Sequence, residues 1–225
     1  MAPGLIAAVV FLLLTGTGGA AQIVKISSRG KLFANGELPE DEIYAGLHPV
    51  REFWSFSGFL SFALAGLTRP TPDWFLIVSR TPIIVLSTGI LYLLARHRAP
   101  GAERLLVAAV VGNCILLAGL IALPFGLDLG VSPLPMVVDT VITCIGFSLF
   151  AAKISQARQM VQLRRSAGVS WAREIGFLLK DITGLWYAVT VGGPLFFVGL
   201  THSLSIASSL AIVAAKLNVE RKSLP

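Results

Sequence analysis

Residues 159–216 read QMVQLRRSAGVSWAREIGFLLKDITGLWYAVTVGGPLFFVGLTHSLSIASSLAIVAAK. A basic, glycine-containing loop leads into two long apolar runs separated by Gly192, Gly193 and Pro194, a combination that stops one helix and turns the chain. Each run approaches the roughly 20 residues that cross a bilayer, so the stretch predicts a hairpin of two membrane-spanning helices. Inside it sit Lys180, Asp181 and His202. A Lys or Asp at the centre of a spanning helix costs about 2.5–3.5 kcal/mol on insertion scales. These three residues therefore predict a charged partner, a water-filled cavity or a direct role.

The rest of the chain has the same character. Of its 225 residues 55% are apolar and 13% charged, a composition outside the range of an ordinary soluble domain. Seven spans are predicted, at about 4–24, 53–68, 74–95, 105–124, 134–152, 175–191 and 195–215. Cys114 and Cys144 both lie in apolar runs, which indicates neither a disulfide framework nor a cysteine metal site. The net charge of +6 is carried by short basic clusters between hydrophobic segments, without the aromatic-basic face of a nucleic-acid binder. No metalloprotease motif, nucleophile elbow, phosphate loop or paired-carboxylate arrangement is present, so neither an enzyme nor a cofactor is expected. The expected partners are a small solute and the bilayer, with a homo-oligomer left open.

The opening run GLIAAVVFLLLTGTGGAAQ has the apolar core and small residues of a secretory signal, but Met-Ala-Pro supplies no positive n-region. A retained first helix is the preferred reading. Residues 25–52 form the longest polar segment and read as an acidic surface loop around Glu37, Glu40, Asp41 and Glu42. Flanks following the odd-numbered spans hold fifteen of the eighteen basic residues, whereas the opposite side has Arg69 alone. The positive-inside rule then puts the amino terminus outside or in a lumen and the carboxyl terminus in the cytosol. The two remaining basic residues, Arg80 and Lys180, fall inside spans.

Sliding the chain against itself by 122 residues matches Val50-Arg51-Glu52-Phe53 with Ala172-Arg173-Glu174-Ile175. The register continues without a gap through Pro72 and Pro194, Ser79 and Thr201, Ser87 and Ser209, and Ile90 and Ile212. Arg80 then falls opposite His202. Upstream, Gln22-Ile23-Val24 matches Gln159-Met160-Val161, with the extra residues of the first copy in its acidic loop. The pattern predicts an all-α membrane protein of two three-helix repeats, residues 1–98 and 131–225, joined by a linker helix within 99–130. An odd linker leaves the repeats parallel, related by an axis along the membrane normal.

These residues resemble the MtN3/SWEET and PQ-loop superfamily along the whole chain. The run Arg158-Gln159-Met160-Val161-Gln162-Leu163-Arg164-Arg165, followed by Ser166-Ala167-Gly168-Val169-Ser170, is similar to the family's Pro-Gln loop and its Gly-hydrophobic-Ser turn. Ala20-Ala21-Gln22-Ile23-Val24-Lys25-Ile26 is similar to the same motif, and Leu179-Lys180-Asp181-Ile182-Thr183-Gly184 resembles an Asp-containing segment of the cystinosin branch. Ala21 and Arg158 stand where the family has proline. Arg80 and His202 stand where many sugar-carrying members have asparagine. The resemblance implies a seven-helix carrier of a small polar solute, a sugar or an amino acid or organic anion, working by alternating access with or without proton coupling. KDEL receptors look like this fold too, so a cargo receptor that reads a peptide carboxylate, or an assembly factor, is the alternative.

Each candidate residue carries a functional and a structural reading. Arg80 either contacts substrate through its bidentate fork or snorkels to the interface. His202 contacts substrate and couples protons, or bonds between packed helices. Asp181 carries a proton or pairs structurally with Lys180, from which it projects about 100° around the helix. Trp54, Trp186 and Tyr187 stack on a substrate or anchor the interface. Asn113 joins the substrate site or bonds a neighbouring helix, and Asp139, a weaker candidate, is read as interfacial or capping. Arg51, Glu52, Arg173 and Glu174 form a cross-repeat gate or ordinary surface ion pairs.

Overall fold

The computed structural model describes residues 3–68, 73–122, 134–191 and 196–222, in helices α1 (Pro3–Ala34), α2 (Pro49–Leu67), α3 (Trp74–Arg96), α4 (Ala102–Ala122), α5 (Leu134–Leu163), α6 (Trp171–Val191) and α7 (Phe196–Lys222). A 3₁₀ turn at Glu40–Glu42 precedes α2. The Gly192–Pro194 turn, Arg69 and the Pro72/Pro194 match lie outside the described residues, as do the side chains of Asp139 and Tyr187.

Helix ends follow local chemistry. Asp73 caps α3 by accepting from the Leu76 amide at 3.2 Å. Pro49 opens α2, where a missing N–H costs nothing. Several helices outrun their apolar segments. α1 continues to Ala34 and α5 to Leu163, so the expected loop of residues 25–52 is helical over its first third and again from Pro49. The acidic turn is tied down by Arg29 and Arg165, at 3.2 Å from Glu42 and 2.5 Å from Asp41.

Five helices, α1, α3, α4, α5 and α7, contain segments long and apolar enough to cross a membrane, consistent with a multi-pass membrane protein. α2 and α6 do not reach that standard, and seven such helices were expected. The reason is charge. α2 carries Arg51 and Glu52 in its first turn, and α6 carries Arg173, Glu174, Lys180 and Asp181.

Neighbour relations show a regular pattern. α3 packs against both α1 and α2, and α7 against both α5 and α6; α1 also packs on α6, and α2 on α5. Exchanging α1, α2 and α3 for α5, α6 and α7 turns this set of contacts into itself. α4 stands outside the exchange and packs on α2 and α3.

At one end of the bundle the two loops before α2 and α6 cross. The Gly168 amide donates to the Ala45 carbonyl at 2.7 Å. A Cβ on Gly168 would lie 2.7 Å from that same oxygen, and one on Gly46 would lie 2.8 Å from the Arg165 carbonyl. Gly46 also adopts a φ of +81°, the left-handed region that disfavours a side chain. Gln22 of α1 donates to the Gly168 carbonyl at 2.8 Å, and Gln156 of α5 donates to the Gly46 carbonyl at 2.6 Å. Gly46 and Gly168 are equivalent in the 122-residue register, so Gln156, one turn before Gln159, is the counterpart of Gln22. Arg158 and Gln159 are exposed, which corrects the expected match of Gln22 with Gln159.

Gly46→Ala should lower stability by about 1–2 kcal/mol from the left-handed backbone alone, before the clash with Arg165 is added. Thermal unfolding of detergent-solubilised protein checks this; an unchanged melting temperature would show that the crossing is loose.

Candidate functional site

Above the crossed loops, the first turns of α2 and α6 face each other. Arg51 donates to Glu174 at 2.7 Å, and Arg173 forms a bidentate pair with Glu52. All four side chains are no more than 1% exposed. The 122-residue register thus becomes reciprocal in space, because each Arg-Glu dipeptide supplies the partner for the other. These are not the surface ion pairs that the sequence also allowed. Gln156 bonds both Arg51, at 3.2 Å, and the Gly46 carbonyl, which links the ion pairs to the crossed loops.

A cavity lies next to this quartet, towards the middle of the helices. Its wall includes Phe11, Phe59, Phe62, Phe177, Arg80, Lys153, Lys180, Asp181, His202 and Ser205, and water centres can occupy about 40 Å³ of it. One water needs roughly 10–15 Å³ on that measure, so the space holds a few waters. Ligand sites in general run to about 300–1,000 Å³, so this chamber is small.

Asp181 organises one wall. It is fully buried and receives Lys180 at 2.6 Å, the His202 Nδ1 at 3.1 Å and the Ser205 hydroxyl. Lys180 does not snorkel: it turns inward onto its neighbour, with Phe11, Phe59 and Phe177 around its ammonium. His202 stacks on Phe62 with ring centres 6.0 Å apart. Its ring occupies the space that any side chain at Gly184 would need. Arg80 is 2% exposed, bonds Ser79, and places its guanidinium 3.8 Å from the Phe11 ring and 5.6 Å from that of Phe62. Snorkelling is therefore not its arrangement. Arg80 and His202, equivalent in sequence, line one chamber, and both lie near the Phe62 ring.

Other expected site residues lie elsewhere. Asn113 of α4 donates to Thr88 of α3 at 2.8 Å and to the Ala109 carbonyl, the inter-helix role that was its structural alternative. Trp186 is 47% exposed. Trp54 is half-buried with Phe53 against it, and neither tryptophan lines the chamber.

Lys153 was missed. It directly follows the predicted span 134–152 and so reads as a flanking charge, but α5 runs on to Leu163 and carries it indoors. Its ammonium, 1% exposed, lies 2.8 Å from the hydroxyls of both Ser205 and Ser209. The signal lay in Ala152, Lys153, Gln156, Ala157 and Met160, whose helical spacing marks one buried face. The described residues contain no cluster of metal-ligating side chains.

His48, at the start of α2 one turn before Glu52, is held below its ordinary value of 6.5 by burial, with Glu52 opposing. A folded-state value below the unfolded one means the unfolded chain binds more protons in the window just beneath 6.5. Stability is then complete above about 6.5 and declines as pH falls. His48→Gln should flatten the acid side of the melting-temperature profile; an unchanged slope would remove this role.

For the quartet, Glu174→Gln should cost about 3–5 kcal/mol by stranding Arg51, whereas Arg51→Met with Glu174→Met should recover much of that loss. Equal damage from the single and double variants in thermal unfolding would contradict the pairing.

No protein-family model and no curated protein sequence matches this chain.

Proposed function

We propose that this chain is an alternating-access membrane carrier for a small polar solute, built as a seven-span member of the MtN3/SWEET and PQ-loop superfamily with α4 joining two three-helix repeats. The observation that carries this reading is the reciprocal exchange Arg51–Glu174 and Arg173–Glu52 directly beside a polar chamber. A lock made of one half's cations and the other half's anions closes one end, and parting the halves opens it. The invariance of the helix contacts under exchange of the two halves favours the repeat architecture.

In this reading α2 and α6 also span. Their charges are neutralised in pairs, Arg51 with Glu174, Arg173 with Glu52 and Lys180 with Asp181, which lowers the cost of holding them within the bundle. The locked end is the one with Lys25, Arg29, Arg164, Arg165 and Lys216 and therefore faces the cytosol; the amino terminus faces outside or a lumen. Arg80 and His202 contact the solute. Asp181, between Lys180, His202 and Ser205, is the proton-coupling group. A receptor for a peptide carboxylate would use the same cations but gives the reciprocal lock no purpose.

Purified protein in liposomes should take up at least one member of a panel of sugars, amino acids and organic acids, and Glu174→Gln should change the rate by about tenfold or more, the size expected from one buried charge pair. Asp181→Asn should abolish any acceleration by an imposed pH gradient. Peptide binding without flux of any panel member would sink the carrier reading in favour of a receptor.

A further inference from the structure

Lys153 has no counterpart in the first half. With Gln22 equivalent to Gln156, the position matching Lys153 is Gly19, and in the 122-residue register Lys180 matches Gly58. The frame of loops, glutamines and Arg-Glu pairs is thus shared by both halves, while the second half adds two cations to the chamber. Lys180 is matched by Asp181 at 2.6 Å. Lys153 is not matched in this way: among the described residues its ammonium is held by the Ser205 and Ser209 hydroxyls and, at 3.5 Å, the Ser205 carbonyl, all neutral oxygens.

Asp181 is reached from Lys153 only through the Ser205 hydroxyl, which bonds both, and its direct ion pair is with Lys180; the Lys153 ammonium therefore keeps part of a desolvation cost that runs to several kcal/mol for a buried charge. An anion entering the chamber offsets that cost, and a neutral solute does not. The remaining wall narrows the choice further. Phe11, Phe59, Phe62 and Phe177 give it an apolar surface, and a sugar hydroxyl buried against phenyl rings would lack a partner. A short apolar chain ending in one charge fits these walls and the small volume.

Resting on the carrier reading for its setting, we infer that the chamber is a site for a short-chain monocarboxylate whose carboxylate is taken by Lys153. Ser205 and Ser209 hold the ammonium in place until the solute arrives, and the phenyl rings cover the solute's carbon chain. Lys153 stands three residues before Gln156, which bonds Arg51, so α5 carries the solute contact and the lock contact on adjacent turns.

Propionate and its uncharged isostere propionamide, with glucose as the sugar control, test this on the purified protein in detergent by calorimetry. Propionate should bind at least about tenfold more tightly than propionamide, the discrimination expected of one charged hydrogen bond, and Lys153→Gln should abolish that preference. The comparison of the two ligands needs no variant, so it stands even if Lys153→Gln fails to fold. Equal binding of propionate and propionamide, or no propionate binding, would overturn the inference. Propionate binding that requires Lys153 but is accompanied by no flux in liposomes upholds the site and fails the carrier. Glucose flux indifferent to Lys153→Gln upholds the carrier and overturns the site.

Discussion

Two arginines and two glutamates, none in contact with solvent, hold the halves of this bundle in register. The desolvation of four charges is costly, and ion pairing recovers it only with close geometry and further hydrogen bonds. Here the geometry comes from the exchange: neither Arg-Glu dipeptide pairs internally, and each reaches across to the other. Gln22 and Gln156 fix the crossed loops beneath, and Gly46 and Gly168 let those loops touch. Moving either half relative to the other strands all four charges together. The interface therefore favours a few discrete positions over a continuum of small slides.

Symmetry is kept in this frame and abandoned in the chamber. Gly19 and Gly58 in the first half hold the positions equivalent to Lys153 and Lys180 in the second; Phe59 is equivalent to Asp181, and Arg80 to His202. Glycine at 184 leaves the room that the His202 ring fills, where the first half has Phe62 in the equivalent place. The frame depends on both halves obeying one geometry. A solute with two different ends is better met by unlike walls.

Much of this was legible in the sequence. The 122-residue register named all four members of the quartet and the pairing of Arg80 with His202, because short-range identities such as Arg-Glu survive in a string. Their burial was not legible, since the same dipeptides at a helix start are usually wet. The helix overruns were also hidden: apolar runs mark where lipid ends, not where hydrogen bonding ends, so Lys153 and Gln156 read as flank. Gln159 was a plausible decoy for the same reason. Burial and the two carbonyls, of Gly168 and Gly46, distinguish it from Gln156. Residue type alone singles out Trp54, Trp186 and Asn113, and type says nothing about which way a helix faces.

The reciprocal pairing also sets a schedule for biogenesis. Arg51 meets Glu174 across 123 residues of chain. At a synthesis rate of about 5–20 residues per second, the first half waits roughly 6–25 s before its partners leave the ribosome. Throughout that interval α2 holds an arginine and a glutamate with no permanent counter-charges. In the carrier reading, in which α2 spans the bilayer, the insertion machinery or the neighbouring Arg51 and Glu52 themselves shield this helix from lipid until α6 arrives.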